Sequence, residues 1–252
     1  MARDMARNPN LTVPQLQALV TAALTHPESS LAMNVARHPN LVPTQELIAA
    51  AIAHPDSRLA RGVALNPNLT PAQAEELLAF AIANLDSNLA ISAAENPSLT
   101  PPQEFITEAI ANPRSRLASS LAENPNLTQP QAQALVAAAI ADPRSEMARG
   151  MAQNPNLTVP QLQALVTAAL AHPNSFLASA VACHPRLLPP QVEELVTAAI
   201  AHPESRLAWS VVQNTNLTPA QLQALAAAAI ADPKSSLARG LAQNPRRFTW
   251  EP

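Results

Sequence analysis

The residues best suited to chemistry are six histidines, one cysteine, pairs of adjacent glutamates and a set of arginines that recurs at fixed spacing. His26, His54, His172 and His202 each stand directly before a proline, at a site filled elsewhere by Asn84, Asn112, Asp142 and Asp232. Interchange with Asn and Asp is the behaviour of a capping or turn residue. Helices packed roughly 8–10 Å apart would hold such histidines too far from one another to share a metal. His38 and His184 replace an asparagine that elsewhere begins Asn-Pro-Asn, and they read as turn variants. Cys183 has no fixed histidine partner, so nothing in the pattern activates it as a nucleophile. Glu75-Glu76 and Glu193-Glu194 fall at matching positions and read as a solvated helix face, not an acid/base pair. The glycines lie far apart, which excludes a glycine-rich phosphate loop. The expectation is a chain that is not an enzyme, with no catalytic residues, no metal and no cofactor.

The elements that position these residues are announced by proline. The chain has 252 residues with 26 prolines, three glycines, 48% apolar residues and 2% aromatics. Net charge is only −3 and apolar content is high, so the prolines do not signal disorder. They recur instead. Pro9, Pro39, Pro67, Pro97, Pro125, Pro155 and Pro185 fall 28 or 30 residues apart, Thr215 takes the next place, and Pro245 resumes the series. A second series runs between them: Pro27, Pro55, Pro113, Pro143, Pro173, Pro203 and Pro233, with Leu85 as its exception. Asn8 to Leu24 recurs unchanged as Asn154 to Leu170. The reading is one helical-repeat domain over residues 1–252, an array of internal duplications with no linker.

Each unit carries two helical segments. Segment A opens at Thr12-Val-Pro-Gln15, Thr70-Pro-Ala-Gln73, Thr100-Pro-Pro-Gln103, Thr128-Gln-Pro-Gln131, Thr158-Val-Pro-Gln161 and Thr218-Pro-Ala-Gln221, a capping box with proline in the first turn. Two units place Val42 and Leu188 at the cap instead. Segment B opens at motifs such as His26-Pro-Glu-Ser29 and Asp142-Pro-Arg-Ser145 and stops at Asn-Pro, because a residue before proline is pushed out of the helical region. Asp or Asn before the proline is the expected N-cap, serine the third helical residue, and the helix about ten residues long by the spacing of these signals. The 28-residue units lose their two residues inside segment A, since Val42 to His54 spans two positions fewer than Thr12 to His26. Neither segment is stable alone, because isolated helices need roughly 12–15 residues. Stacking must supply the stability. The predicted fold is all-α, an α-solenoid of about eight two-helix repeats of 28–30 residues with a continuous apolar core.

Segments such as Ala6-Arg-Asn-Pro-Asn-Leu-Thr-Val-Pro-Gln-Leu16 and Asp232-Pro-Lys-Ser-Ser-Leu-Ala238 resemble the leucine-rich repeat variant, a bacterial helical repeat built around Asn-Pro-Asn and Asp-Pro turns. The resemblance covers nearly the whole chain. It implies a right-handed superhelix and little about function. These units are longer than that family's usual repeat, which implies a full α-helix where the family has a 3₁₀ helix. The iron–sulfur cysteine cluster of that family's best-known member has no counterpart here.

With so uniform a frame, function must lie in the positions that differ between units. On segment B, Leu31, Ala32, Val35 and Ala36 mark the buried side, leaving 30, 33, 34 and 37 opposite. The columns at 30 and 33 collect Arg58, Arg61, Arg116, Arg149, Phe176, Arg206, Trp209 and Arg239, together with Arg3, Met33 and Ile91, and the column at 37 adds Arg7 and Arg37. Arginine mixed with aromatics is the composition of a binding face. These residues are the expected ligand-binding face, its partner a protein or peptide, and arginine favours an acidic one. The column at 34 holds only small residues: Asp4, Asn34, Gly62, Ser92, Ser120, Gly150, Ala180, Ser210 and Gly240. Close approach of successive B helices explains that, and so does a clear floor beneath an extended ligand.

Nucleic acid is the rival partner class, because helical repeats can read one base per unit. Against it stand the net charge, a single lysine and the scarcity of stacking side chains, which appear in few units. A structural spacer or self-assembling repeat is the bland alternative. Met1 aligns inside a B segment, so the first helix reads as truncated, and 245–252 reads as a C-terminal tail or cap with Phe248 and Trp250 as a lid. Exposed terminal repeats would then support self-association. Prolines every dozen or so residues leave no room for a membrane span of about 20 residues, so no membrane partner is expected. The start lacks the apolar stretch of a secretory signal, and one cysteine excludes an internal disulfide framework. A soluble cytoplasmic protein is the resulting expectation.

Overall fold

The computed structural model describes Ala6 and residues 8–244. Arg3, Asp4, Arg7, the truncated first helix and the 245–252 tail with Phe248 and Trp250 lie outside the described residues. Among the described residues all regular structure is helical: sixteen α-helices and no strand. The odd-numbered helices are the A segments: α1 (Val13–Thr25), α3 (Gln45–Ala53), α5 (Pro71–Ala83), α7 (Gln103–Ala111), α9 (Gln129–Ala141), α11 (Val159–Ala171), α13 (Pro189–Ala201) and α15 (Pro219–Ala231). The even-numbered helices are the B segments: α2 (Ser30–Ala36), α4 (Arg58–Ala64), α6 (Asn88–Glu95), α8 (Arg116–Glu123), α10 (Glu146–Met151), α12 (Phe176–Ala182), α14 (Arg206–Val211) and α16 (Ser236–Gln243).

The A helices start where threonine and glutamine exchange hydrogen bonds. At α5 the Gln73 backbone N–H donates to Thr70 Oγ1 at 3.3 Å, and the Thr70 N–H donates to Gln73 Oε1 at 3.0 Å. Thr128, Thr158 and Thr218 repeat the pair. Leu188 has no hydroxyl to offer, and only the glutamine half survives, its N–H donating to Gln191 Oε1 at 2.8 Å. Two units depart from the sequence expectation. Helix α3 is capped by Thr44, not at Val42, with Thr44 Oγ1 accepting from the Leu47 N–H, and α7 begins after Pro102, not at Thr100. These are the 28-residue units. Their glutamine becomes the first helical residue, so α3 and α7 have nine residues where the other A helices have thirteen.

The B helices carry a second correction. Their N-cap is serine, not the residue before proline. Ser29, Ser57, Ser87, Ser115, Ser145, Ser175, Ser205 and Ser235 each accept, through Oγ, from the N–H of the alanine three residues on, at 3.0–3.1 Å. The histidine, asparagine or aspartate before proline instead ends the A helix, and its carbonyl accepts from the serine N–H, as His26 does from Ser29 at 3.1 Å. Because the cap sits three residues later than expected, the B helices have only six to eight residues. Helices so short do not persist alone in water.

Stacking holds them. The chain divides into two compact units, Met1–Gln131 and Ala132–Pro252, where the repeats read as a single array. Within each unit the A helices α1, α3, α5, α7, α11, α13 and α15 pack on the B helix that follows, and each B helix packs on the next B helix of the same unit. The first leucine of a B helix donates its N–H to a proline carbonyl one repeat earlier: Leu59 to Pro27, Leu89 to Pro55, Leu207 to Pro173 and Leu237 to Pro203, each at 2.9 Å. The turns are tied more firmly still. Buried Asn66 donates from Nδ2 to the carbonyls of Ala36 at 2.6 Å and Leu41 at 3.1 Å, while its Oδ1 accepts from the Asn68 N–H at 2.7 Å. Asn96 and Asn124 reach the preceding repeat in the same way, and Asn214 donates to Ala182 at 2.6 Å. Asn66 and Asn124 thus use both amide atoms in hydrogen bonds inside the protein. The core between the helices is built from small and branched side chains such as Leu47, Ile48, Leu59, Ala60, Leu165 and Val166, all fully buried. No helix among the described residues is long and apolar enough to cross a membrane.

Candidate binding face

The arginines of the expected face are exposed along the B helices, because each occupies a helical position turned away from the leucine and alanine that pack inward. In the second unit the face becomes a groove. Arg149 from α10, Phe176 and Ser179 from α12, and Arg206, Trp209 and Ser210 from α14 line an opening of about 470 Å³, with Gln153, Cys183 and His184 on the connecting turns. The Arg206 guanidinium lies over the Phe176 ring, 5.0 Å from its centroid, a cation–π contact that holds the charged plane in place. Trp209 stays 41% exposed, a large apolar surface left in water. Ser179 and Ser210 join hydroxyls at 2.6 Å across the groove floor. Arg149 is loosely paired with Glu146 at 3.7 Å, both in solvent, where such a pair is worth little. Arg239 makes a similar exposed pair with Glu204, also at 3.7 Å, and donates to Ser236.

In the first unit the same columns are arranged differently. Arg61 and Arg116 line a smaller space of about 210 Å³ with Asn88, Ile91, Ser119 and a carboxylate, Glu95. Arg116 is engaged there, donating to Asn88 Oδ1 at 3.2 Å. Ile91, read with the exposed face, is buried. Arg58 is exposed at the start of α4. Arg37, with His38, Leu65 and again Glu95, borders an opening of about 600 Å³. Acidic and basic groups therefore mix on the first unit's face.

The small-residue column lies under this surface. Asn34, Gly62, Ser92, Gly150, Ala180, Ser210 and Gly240 are buried and Ser120 is half-buried. A Cβ on Gly62 would stand 2.5 Å from the Met33 carbonyl oxygen and 2.8 Å from Ala36 Cβ; one on Gly240 would stand 2.7 Å from the Trp209 carbonyl oxygen. Close approach of one B helix to the next accounts for these two glycines. Ala180 and Ser210 also form part of the groove floor in the second unit.

The histidines that stand in the turns behave as asparagine does. Nδ1 of His38 accepts from Asn40 at 3.1 Å and Nδ1 of His184 accepts from Arg186 at 3.1 Å. Nε2 of His38 pairs with the Asn8 carbonyl at 3.0 Å. His184 is buried, and its Nε2 has no hydrogen bond of good geometry, although the Asn154 backbone lies near enough to favour the charged ring. Burial outweighs that, and with the Arg186 charge it pushes the His184 pKa below the usual histidine value. Cys183 is exposed overall, yet its Sγ turns onto the Ser210 carbonyl at 3.4 Å, and burial pushes the thiol pKa up. A raised pKa is the opposite of what an activated nucleophile needs. Among the described residues no three His, Cys, Asp or Glu side chains meet in a group able to hold a metal ion.

The acidic residues of the A helices sit on the other side of the sequence pattern and make neighbourly bonds: Gln45 donates to Glu76 at 3.0 Å and Gln221 to Glu193 at 2.7 Å. Two features escaped the sequence reading. At the B helices two side chains compete for the start and serine, not the residue before proline, wins it; the burial of the turn asparagine carries no local signal, since its partners lie a full repeat away. Comparison with known proteins finds no matching family model, no matching curated protein and no matching solved structure.

Proposed function

We propose that the chain is a cytoplasmic, non-enzymatic scaffold: a right-handed α-solenoid of about eight two-helix repeats, of the leucine-rich repeat variant kind, that binds a protein or peptide partner on the B-helix face. The observation that carries the reading is the groove of the second unit, where two arginines, an exposed tryptophan and a phenylalanine converge over a floor of small side chains. Tryptophan and arginine are the residues that contribute most at protein interfaces. The repeat architecture is supported by the packing of each B helix on the next within a unit and by turn hydrogen bonds that reach one repeat back.

The test uses the full chain as bait in three forms: unaltered, with Arg149→Ala, Arg206→Ala and Trp209→Ala combined, and with Glu75→Ala and Glu194→Ala combined as a control on the A helices. A partner identified with the unaltered bait should be kept by the control and lost by the B-face variant. A partner kept by the B-face variant and lost by the control refutes the reading. A parallel titration with single-stranded nucleic acid at two salt concentrations addresses the rival class, whose binding would fall steeply with salt.

A further inference from the structure

Arginines occur on the B face of both units, but the opening they line in the second unit has no carboxylate in its lining, the Glu146 partner of Arg149 standing outside it, whereas those of the first unit include Glu95. The groove of the second unit is lined by Arg149, Arg206, Trp209, Phe176 and neutral residues, with no Asp or Glu among its lining. The Arg61–Arg116 space of the first unit contains Glu95, and Arg116 is already bonded to Asn88. Arg206 differs again. No carboxylate lies within salt-bridge distance of it among the described residues, and its planar head is held over Phe176 at 5.0 Å. A guanidinium stacked by its face keeps its edge N–H donors free, and the planar fork matches a carboxylate with two parallel hydrogen bonds. Trp209, one helical turn further along α14 and 41% exposed, offers a flat apolar surface beside that charge.

Resting on the scaffold reading, we propose that this groove is a recognition site for an acidic peptide segment in which a carboxylate side chain stands next to an aromatic one. The carboxylate pairs with Arg206, with Arg149 at the opposite wall adding positive field, and the aromatic side chain packs on Trp209. Ser179, Ala180 and Ser210 are small enough to let the segment's backbone approach the floor between α12 and α14. Charge complementarity selects the acidic residue, and the tryptophan selects the ring. In the first unit the space between Arg61 and Arg116 holds Glu95 and Asn88 instead.

The chain supplies its own reporter, because Cys183 is its only cysteine and lines the groove. Alkylation of Cys183 by a maleimide is followed with the full-length protein and three acetylated heptapeptides: one alternating Glu and Phe, one with Lys in place of Glu, and one with Ser in place of Phe. The Glu/Phe heptapeptide is expected to slow the alkylation and the other two to do so at least about tenfold less effectively, the factor typical of losing one strong contact. Arg206→Gln and Trp209→Ala should each weaken the Glu/Phe heptapeptide by about the same factor, measured by calorimetry. Lys234→Gln, at an exposed cation on the turn before α16 and outside the groove lining, should change nothing. Far-UV circular dichroism verifies that each variant folds, and Arg206→Lys, which keeps the charge but not the fork, should still lose most of the affinity. The proposal is overturned if the Lys/Phe or Glu/Ser heptapeptide protects Cys183 equally well, if Lys234→Gln weakens binding as much as Arg206→Gln, or if no heptapeptide protects Cys183. In each case the scaffold reading is judged separately, by whether the partner retained on the bait is still lost from the B-face variant.

Discussion

Replacing Gly62 by alanine sets two effects against each other. Helix propensity favours the change, since a glycine inside a helix costs about 0.8–1.0 kcal/mol relative to alanine. Packing opposes it. The new methyl would meet the Met33 carbonyl oxygen at 2.5 Å, Met33 Cα at 2.9 Å and Ala36 Cβ at 2.8 Å. Ordinary contact needs roughly 3.5 Å or more, so the shortfall is about 1 Å. None of the three atoms is the free end of a flexible side chain, so relief requires α4 to move away from α2 as a body. Overpacking of that kind costs about 1–3 kcal/mol, and the net prediction for Gly62→Ala is a change between about 0 and 2 kcal/mol of destabilisation. The control is Ala180→Gly, at the same column in the second unit, where the backbone already accommodates a Cβ and the change should cost about 1 kcal/mol from propensity alone. Urea unfolding followed by circular dichroism gives both values, and hydrogen exchange in α2 and α4 locates the first. Because stacked repeats need not unfold in one step, the comparison uses both probes. A Gly62→Ala protein stabilised by about 1 kcal/mol, as propensity alone demands, would refute the close approach of the two B helices.

Asn66→Ala should be among the most damaging single changes in the first unit. It strips the side-chain hydrogen bond from the Ala36 carbonyl and the acceptor from the Asn68 N–H, while the Leu41 carbonyl keeps a 3.3 Å bond from Asn68; at about 1–3 kcal/mol for each of the two groups left unpaired the loss is roughly 2–6 kcal/mol by urea unfolding. Asn66→Asp keeps the acceptor for the Asn68 N–H but sets a buried carboxylate oxygen against the Ala36 and Leu41 carbonyls, so a loss at least as large is expected by the same measurement. His184 predicts a pH effect. Its pKa is lowered in the folded chain, chiefly by burial and further by Arg186, so the unfolded chain binds its proton first as pH falls. The stability contributed by the neutral ring is therefore present above the unfolded value near 6.5 and is lost as pH drops from there toward the lower folded value. His184→Asn, which installs the residue used in most other turns, should reduce the fall in urea midpoint between about pH 7.5 and about pH 5.5. An unchanged fall would assign the acid sensitivity to other groups.

Local signals were read well from sequence where cause and effect lie within a few residues. Threonine followed by glutamine three positions later, with proline between, marks the start of α5, α11 and α15 because every atom of that cap comes from four consecutive residues. The serine cap of the B helices failed for an equally local reason. His-Pro-Glu-Ser offers two side chains that can accept from a helix start, and only the backbone decides that the first closes the A helix while the second opens the B helix. The short units misled in the same way: Thr44 lies two residues beyond the aligned position, and a residue that repeats in only one unit carries no pattern. The face of arginines was legible as a column. What was not legible is that Glu95 enters it in one unit and not the other, because that depends on which side chains meet across neighbouring helices.

The turn asparagines have a consequence for how the chain can change in length. Asn66, Asn96 and Asn124 each donate to a carbonyl at the end of the preceding B helix, 30 or 32 residues back, and the acceptor is always the same kind of group. Removing a stretch that begins and ends at equivalent points brings the next asparagine to a carbonyl of identical character, so no buried donor is orphaned. Removing a few residues fewer or more leaves it facing nothing. Length in this protein is therefore quantised: whole units can be copied or deleted at little cost to the interior, and fractions of a unit cannot, unless, as in α3 and α7, the missing residues come out of the A helix and leave every tie between turns untouched.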